Sequence, residues 1–246
     1  MSEAGLDAVL PKGVTKIDCS IGTMLKKHKM RGPFCHVGSL INKDDVPAET
    51  VSRWREKFLS IDPAGFVGLD LFPGPNVDVV ADLCDPGFVR KHPELIGKFN
   101  TVFCYALLEH VKNPFDAAKS IYSLLAPGGH LYYGGPWTWG YHAYPGDYFR
   151  ISFDGLAVIF PEMLWEQRWY MSTKQGVGLE LHPKREKKIF RLHNVDGVSS
   201  ILTDIGLPYL NLGAIGRKPS SPPLRGIRKL RQAASRKLGA IIRSGR

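Results

Sequence analysis

Apolar residues recur along this chain in short runs closed by turn formers. Phe34-Cys35-His36-Val37 ends at Gly38-Ser39, and Phe66-Val67-Gly68-Leu69-Asp70 ends shortly before Pro73-Gly74-Pro75. Val77 to Ala81 is closed by Asp82, and Phe99 to Tyr105 and His130 to Tyr133 follow. Runs of this length, apolar at successive positions, predict strands buried on both faces. Helical spacing fills the gaps. Pro47 suits the first position of a helix carrying Val51, Trp54, Phe58 and Leu59. Asn113-Pro114 offers a cap and an N1 proline for Phe115, Ala118, Ile121, Leu124 and Leu125, with Pro127-Gly128-Gly129 as the stop. Ser152 caps a further helix through Phe160, and Trp165 to Met171 and Tyr209 to Ile215 are late strand candidates. Strand, break and helix alternate, which predicts an α/β fold with a mostly parallel sheet covered by helices.

The ends of the chain read differently. Residues 1–30 form an irregular lead-in with the basic knot Lys26-Lys27-His28-Lys29, and Pro219-Ser220-Ser221-Pro222-Pro223 is a linker by composition. The expected organisation is a lead-in over 1–30, a domain over 31–218 and a tail over 219–246. At 246 residues, 43% hydrophobic and 23% charged, the chain has the apolar content for a packed core, which excludes a mainly disordered or fibrous protein. No apolar run is long enough to span a bilayer, and the acidic start Met1-Ser2-Glu3-Ala4-Gly5-Leu6-Asp7 lacks the order of a signal peptide, so the expected location is the cytoplasm. Cys19, Cys35, Cys84 and Cys104 are widely spaced and are expected as reduced, mostly buried thiols. The histidines show no paired ligand spacing, and no metal site is expected.

Charge changes the picture at one place only. Ten basic residues and no acidic one lie between Arg217 and Arg246, which leaves 23 basic against 23 acidic residues in the rest. The residues before Arg217 balance to zero, and the stretch from Arg217 on carries the net charge of +10. Leu224, Ile227, Leu230, Ala234, Leu238, Ile241 and Ile242 recur there at steps of three or four, a basic amphipathic pattern suited to an anionic membrane surface. A disordered solubilising tail is the alternative. Nucleic acid is a third partner, less favoured because the tail has no aromatics for base stacking.

In a parallel sheet, ligands sit at the carboxyl ends of the strands where strand order reverses. Three strand ends here carry suitable groups: Gly38-Ser39, Asp70 and Asp82. A glycine lets backbone approach a ligand, one carboxylate can accept from ribose hydroxyls, and another can reach an adenine amino group. Each alone also fits a turn or helix cap. The phosphate fingerprint G-x-G-x-x-G and the P-loop are absent, which favours a nucleoside ligand without a pyrophosphate.

Phe99-Asn100-Thr101-Val102-Phe103-Cys104-Tyr105-Ala106-Leu107-Leu108-Glu109-His110-Val111-Lys112-Asn113-Pro114, followed by Leu124-Leu125-Ala126-Pro127-Gly128-Gly129-His130-Leu131, resembles class I S-adenosylmethionine-dependent methyltransferases, and within them the type 11 small-molecule branch. The resemblance covers roughly residues 33 to 160. It implies a Rossmann-like, seven-stranded, mostly parallel sheet with helices on both faces and a terminal antiparallel hairpin, and S-adenosyl-L-methionine as cofactor. It places Gly38 and Ser39 in the first loop, Asp70 and Leu71 at the ribose, and Asp82 and Leu83 at the adenine. Cys104 and Tyr105 would line the cofactor floor. His36 stands where the family has an acid, Asn100 replaces its aspartate, and the later loop glycines are missing.

After the fifth strand comes Pro136-Trp137-Thr138-Trp139-Gly140-Tyr141-His142-Ala143-Tyr144-Pro145-Gly146-Asp147-Tyr148-Phe149-Arg150. Aromatic faces beside a few polar groups suit sugar rings or planar metabolites. Trp137, Tyr141, Tyr144, Asp147 and Arg150 are therefore candidate acceptor-binding residues. An aromatic loop covering the sheet edge is the alternative, and Asp147 and Arg150 equally fit a loop-fixing ion pair. His142 and His110 are the candidate general bases, since imidazole titrates near neutrality. The expected activity is methyl transfer to a small-molecule or glycan-type acceptor, at oxygen. A non-catalytic binding protein on a degenerate methyltransferase fold and an RNA methyltransferase guided by the tail remain open.

Overall fold

The computed structural model describes residues 14–41, 48–142, 145–172, 177–181 and 210–221. In chain order its elements are β1 (Val14–Asp18), α1 (Ile21–Lys27), β2 (Phe34–Val37), α2 (Ala48–Ile61), β3 (Phe66–Asp70) and β4 (Val79–Val80). The single turn α3 (Phe88–Lys91), β5 (Phe99–Tyr105), α4 (Pro114–Leu124), β6 (Leu125–Thr138), α5 (Phe153–Ile159), β7 (Leu164–Ser172), β8 (Val177–Leu181) and β9 (Leu210–Arg217) follow.

Local chemistry accounts for several boundaries. Asn113 accepts from the backbone N–H groups of Phe115 (3.1 Å) and Asp116 (3.2 Å), which starts α4 at Pro114. Ser152 accepts from Gly155 N–H at 3.0 Å and starts α5. Leu125 leaves α4 directly for an extended conformation, so β6 begins before the Pro-Gly-Gly segment and is longer than the expected His130 to Tyr133.

The strands make one sheet in the order β1-β8-β7-β9-β6-β5-β2-β3-β4. β4, β3, β2, β5 and β6 are mutually parallel, while β9 runs antiparallel between β6 and β7. From β2 the chain steps outward to β3 and β4, then returns to β5 on the other side of β2. That reversal opens a crevice at the carboxyl ends of β2 and β5. Side-chain alternation splits the core into two layers. Val37, Val102 and Cys104 pack with Ala117, Ala118, Ile121 and Leu124 of α4, while Phe34 and Phe103 pack with Met24 and Leu25 of α1 and Phe58 of α2. Helices therefore cover both faces, as expected.

Two features differ from the sequence reading. The sheet is nine-stranded, because β1 and β8 extend the edge beyond the seven expected strands. β1 reads Val-Thr-Lys-Ile-Asp, with no two-residue alternation, and its ladder comes from Val177–Leu181, far along the chain. The segment expected as an irregular lead-in also holds α1, whose Ile21, Met24 and Leu25 are buried at helical spacing. All four cysteines are free thiols, and Cys84 is the one not fully buried. Among the described residues no helix is long and apolar enough to cross a membrane. Most of the basic tail, residues 222–246, lies outside the described residues.

Candidate functional site

A cavity of about 690 Å³ opens at the switch point, within the range of small-molecule sites. Gly38 after β2, Asp70, Leu71 and Phe72 after β3, Asp82 and Leu83 after β4, and Ala106, Leu107 and His110 after β5 line it. Pro145 and Tyr148, from the loop after β6, form another wall.

Each strand end is shaped by its own turn. Gly38 has φ +70°, and a Cβ there would lie 3.0 Å from Leu107 Cδ1, so a side chain would be both strained and crowded. Asp70 accepts from Leu40 N–H (2.9 Å) through Oδ2 and from Phe72 N–H (3.2 Å) through Oδ1. Each oxygen keeps a lone pair, so the carboxylate can still accept from a ligand. Asp82 accepts from Cys84 N–H at 2.7 Å and is otherwise exposed. Leu71 and Phe72 are 48% and 45% exposed, an apolar rim beside the two acids.

Five of the residues placed at the cofactor by sequence thus meet at one cavity: Gly38, Asp70, Leu71, Asp82 and Leu83. Three do not. Ser39 is fully buried, and its hydroxyl donates to Asn76 O at 3.1 Å while Asn76 Nδ2 donates to Ser39 O at 3.0 Å. Its side chain ties the loops after β2 and β3 together. Cys104 points into the α4 side of the core, where burial drives its thiol pKa well up. Tyr105 points to the other face and stacks on Phe103, with centroids 6.0 Å apart. The physical reason is Ala106, at φ +49°, which turns the chain one step beyond the strand end and gives the wall to Ala106 and Leu107.

Of the two candidate bases, His110 lines the cavity and His142 stands behind it, outside the lining. The loop after β6 folds back onto β5, because Tyr148 N–H donates to Glu109 O at 2.7 Å and Phe149 N–H at 3.3 Å. His110 Nδ1 donates to Gly146 O at 2.6 Å, which fixes its tautomer and leaves Nε2 as the lone-pair nitrogen, 3.9 Å from Glu109 Oε1. The His142 ring meets that of His110 edge-on, with centroids 5.0 Å apart. His142 Nδ1 lies 3.1 Å from Gly140 O and 3.5 Å from Asp147 Oδ2. Both are acceptors, so Nδ1 carries the proton here too. Glu109 is 2% exposed, neither carboxylate oxygen has a hydrogen-bond partner, and burial pushes its carboxyl up to about 7.

The aromatic loop departs from the sequence reading. Asp147 and Arg150 bind each other in a two-pronged pair, which holds the Asp147 carboxyl far below the usual carboxylate range. Arg150 also donates to Phe149 O (2.9 Å), so both residues fasten the loop and neither presents its charge to an acceptor. Trp137 packs against the core, and Tyr141 is 81% exposed and stands outside the cavity. Tyr144 lies outside the described residues. Phe72, Leu107, Glu109, Lys112 and Tyr148 are additions that the sequence reading missed. Phe72 carried a readable signal, an aromatic between a strand-end acid and a Pro-Gly-Pro break. The others did not.

Fold and site together define a Rossmann-like α/β protein with a nucleoside-sized cavity at the switch point. No family model and no curated protein matches this chain. Solved structures similar to it include a SAM-dependent methyltransferase from Archaeoglobus fulgidus, at 11% identity and TM-score 0.47, covering 80% of this chain and 93% of that one. The YcgJ protein from Bacillus subtilis is 13% identical, with TM-score 0.48 and coverage of 81% and 98%. The N-methyltransferase NodS from Bradyrhizobium japonicum WM9, in complex with S-adenosyl-L-homocysteine, is 12% identical, with TM-score 0.45 and coverage of 80% and 85%.

Proposed function

We propose that this chain is an S-adenosylmethionine-dependent methyltransferase acting at oxygen on a small-molecule or glycan-type acceptor. The observation that carries the reading is convergence: Gly38, Asp70 and Asp82, from three successive strand ends, meet His110 in one cavity. The residues fit the cofactor. Asp70 keeps lone pairs for ribose hydroxyls, Asp82 stands free for an adenine amino group, and Leu71, Phe72 and Leu83 offer apolar contact to the ring. When bound, S-adenosylmethionine supplies a methyl group activated by its positively charged sulfur. The chain's own work is alignment and proton handling. His110, with Glu109 and His142 behind it, would stand at the acceptor end and take up the hydroxyl proton, directly or through water, as the oxygen attacks the methyl carbon and the carbon–sulfur electron pair returns to sulfur.

Calorimetry with S-adenosylmethionine and S-adenosylhomocysteine tests this reading. Asp70→Ala removes a charge-assisted acceptor and should weaken both by about tenfold to a hundredfold, for a loss of about 1.5–3 kcal/mol. Folded wild-type protein that binds neither compound would leave the non-catalytic binding protein as the better reading. We also propose that the tail docks on an anionic membrane surface, since eight cations and no acid lie with an apolar stripe over residues 219–246, whereas Arg217 and Lys218 are held in the body by Glu166 and by the Tyr122 and Leu125 carbonyls.

A further inference from the structure

We infer that Glu109, His110 and His142 form a binding site for a first-row divalent metal ion beside the cavity, which it adjoins through His110. One ligand atom from each lies within 4.8 Å of the others. The three come from two chain segments, the turn after β5 and the loop after β6, joined by the bonds of Tyr148 and Phe149 N–H to Glu109 O.

Two independent features point to a cation. Both imidazoles spend their Nδ1 proton on backbone carbonyls, Gly146 O and Gly140 O. That outer bond orients a metal-ligating histidine and leaves Nε2 basic. Glu109 is 2% exposed with both oxygens unbonded, and an unsatisfied buried carboxylate is costly unless something positive meets it. Around a shared ion at about 2.0–2.2 Å the donors would stand about 3–3.5 Å apart. The remaining closure requires a shift of the His142 side chain, which is 38% exposed.

Two imidazoles and one carboxylate suit zinc, manganese or iron in the divalent state and leave coordination positions open. His110 alone of the three lines the cavity, so an ion held there would reach the acceptor space from the His110 side. An acceptor hydroxyl bound there becomes more acidic and releases its proton to solvent water. That use rests on the methyl-transfer reading, while metal binding itself does not.

The test is titration of the purified full chain with Co²⁺, without cofactor or acceptor, followed by visible absorption and calorimetry, with Zn²⁺ as competitor. The expected result is one Co²⁺ per chain, displaced by Zn²⁺, with d–d bands and no strong near-ultraviolet thiolate band. Glu109→Gln and His142→Gln should each lower the affinity by more than about tenfold, the loss already typical of an outer-shell change. His142→Gln changes a half-exposed loop residue and guards against a folding failure of Glu109→Gln. His130→Gln, at the separate His130–Glu166 contact, should leave binding unchanged. Absence of Co²⁺ binding, a thiolate band, or equal affinity in wild type and His142→Gln would overturn the site. Cofactor calorimetry on the same samples reports separately on the methyltransferase reading.

Discussion

His36 couples the stability of this fold to pH. It stands on β2 in the α1–α2 layer, edge-on to Phe103 at 5.0 Å and to Phe66 at 6.4 Å. Burial lowers its pKa from 6.5 to about 4. Above pH 6.5 the imidazole is neutral in both folded and unfolded chains and has no effect on the balance. As the pH falls from 6.5 toward 4, the unfolded chain takes up a proton that the folded chain refuses, and stability is lost at up to about 1.4 kcal/mol per pH unit. Between pH 7.5 and 5 the loss from this residue is about 2 kcal/mol. His36→Met keeps the volume and the apolar contacts and cannot titrate. Urea unfolding of both proteins at several pH values should show a difference that shifts by about 2 kcal/mol in favour of the variant as the pH drops to 5. Parallel pH profiles for the two proteins would refute the argument, as would a His36 ring titrating near 6.5 by NMR.

Gly38→Ala places a Cβ at φ +70° and 3.0 Å from Leu107 Cδ1, so urea unfolding should show a loss of about 1–2 kcal/mol; an unchanged midpoint would mean the turn relaxes at no cost. Deleting residues 219–246 should abolish sedimentation with anionic vesicles while leaving cofactor affinity intact. Replacing Leu230, Leu238 and Ile241 with Ser should weaken vesicle binding strongly, whereas a purely electrostatic RNA partner would barely notice; intact protein that stays in the supernatant at low and physiological salt would end the membrane proposal.

The elements whose cause is local are legible in the chain. Asn113-Pro114 and Ser152 start helices because their side chains bond amides two or three residues away, and that information sits within a few positions. Gly38, Asp70 and Asp82 were readable because buried parallel strands are apolar runs, and a glycine or an acid at the end of such a run stands out. Tertiary structure decided everything that depends on which way a side chain turns or what meets it from afar. β1 lacks an apolar alternation of its own, so its partner strand makes it a strand. Cys104 and Tyr105 fall on opposite faces of β5, and the left-handed turn at Ala106 moves the cavity wall past them. Asp147 and Arg150 neutralise each other, a fact their types alone leave open. The meeting of Glu109, His110 and His142 is the furthest from the sequence. His110 is oriented by a carbonyl 36 residues away, and Glu109 is left buried and unbonded by the same loop that brings His142 to it. Spacing rules for metal ligands work when one helix or hairpin carries the set; here two loops carry it, and only the sheet that joins β5 to β6 sets their distance.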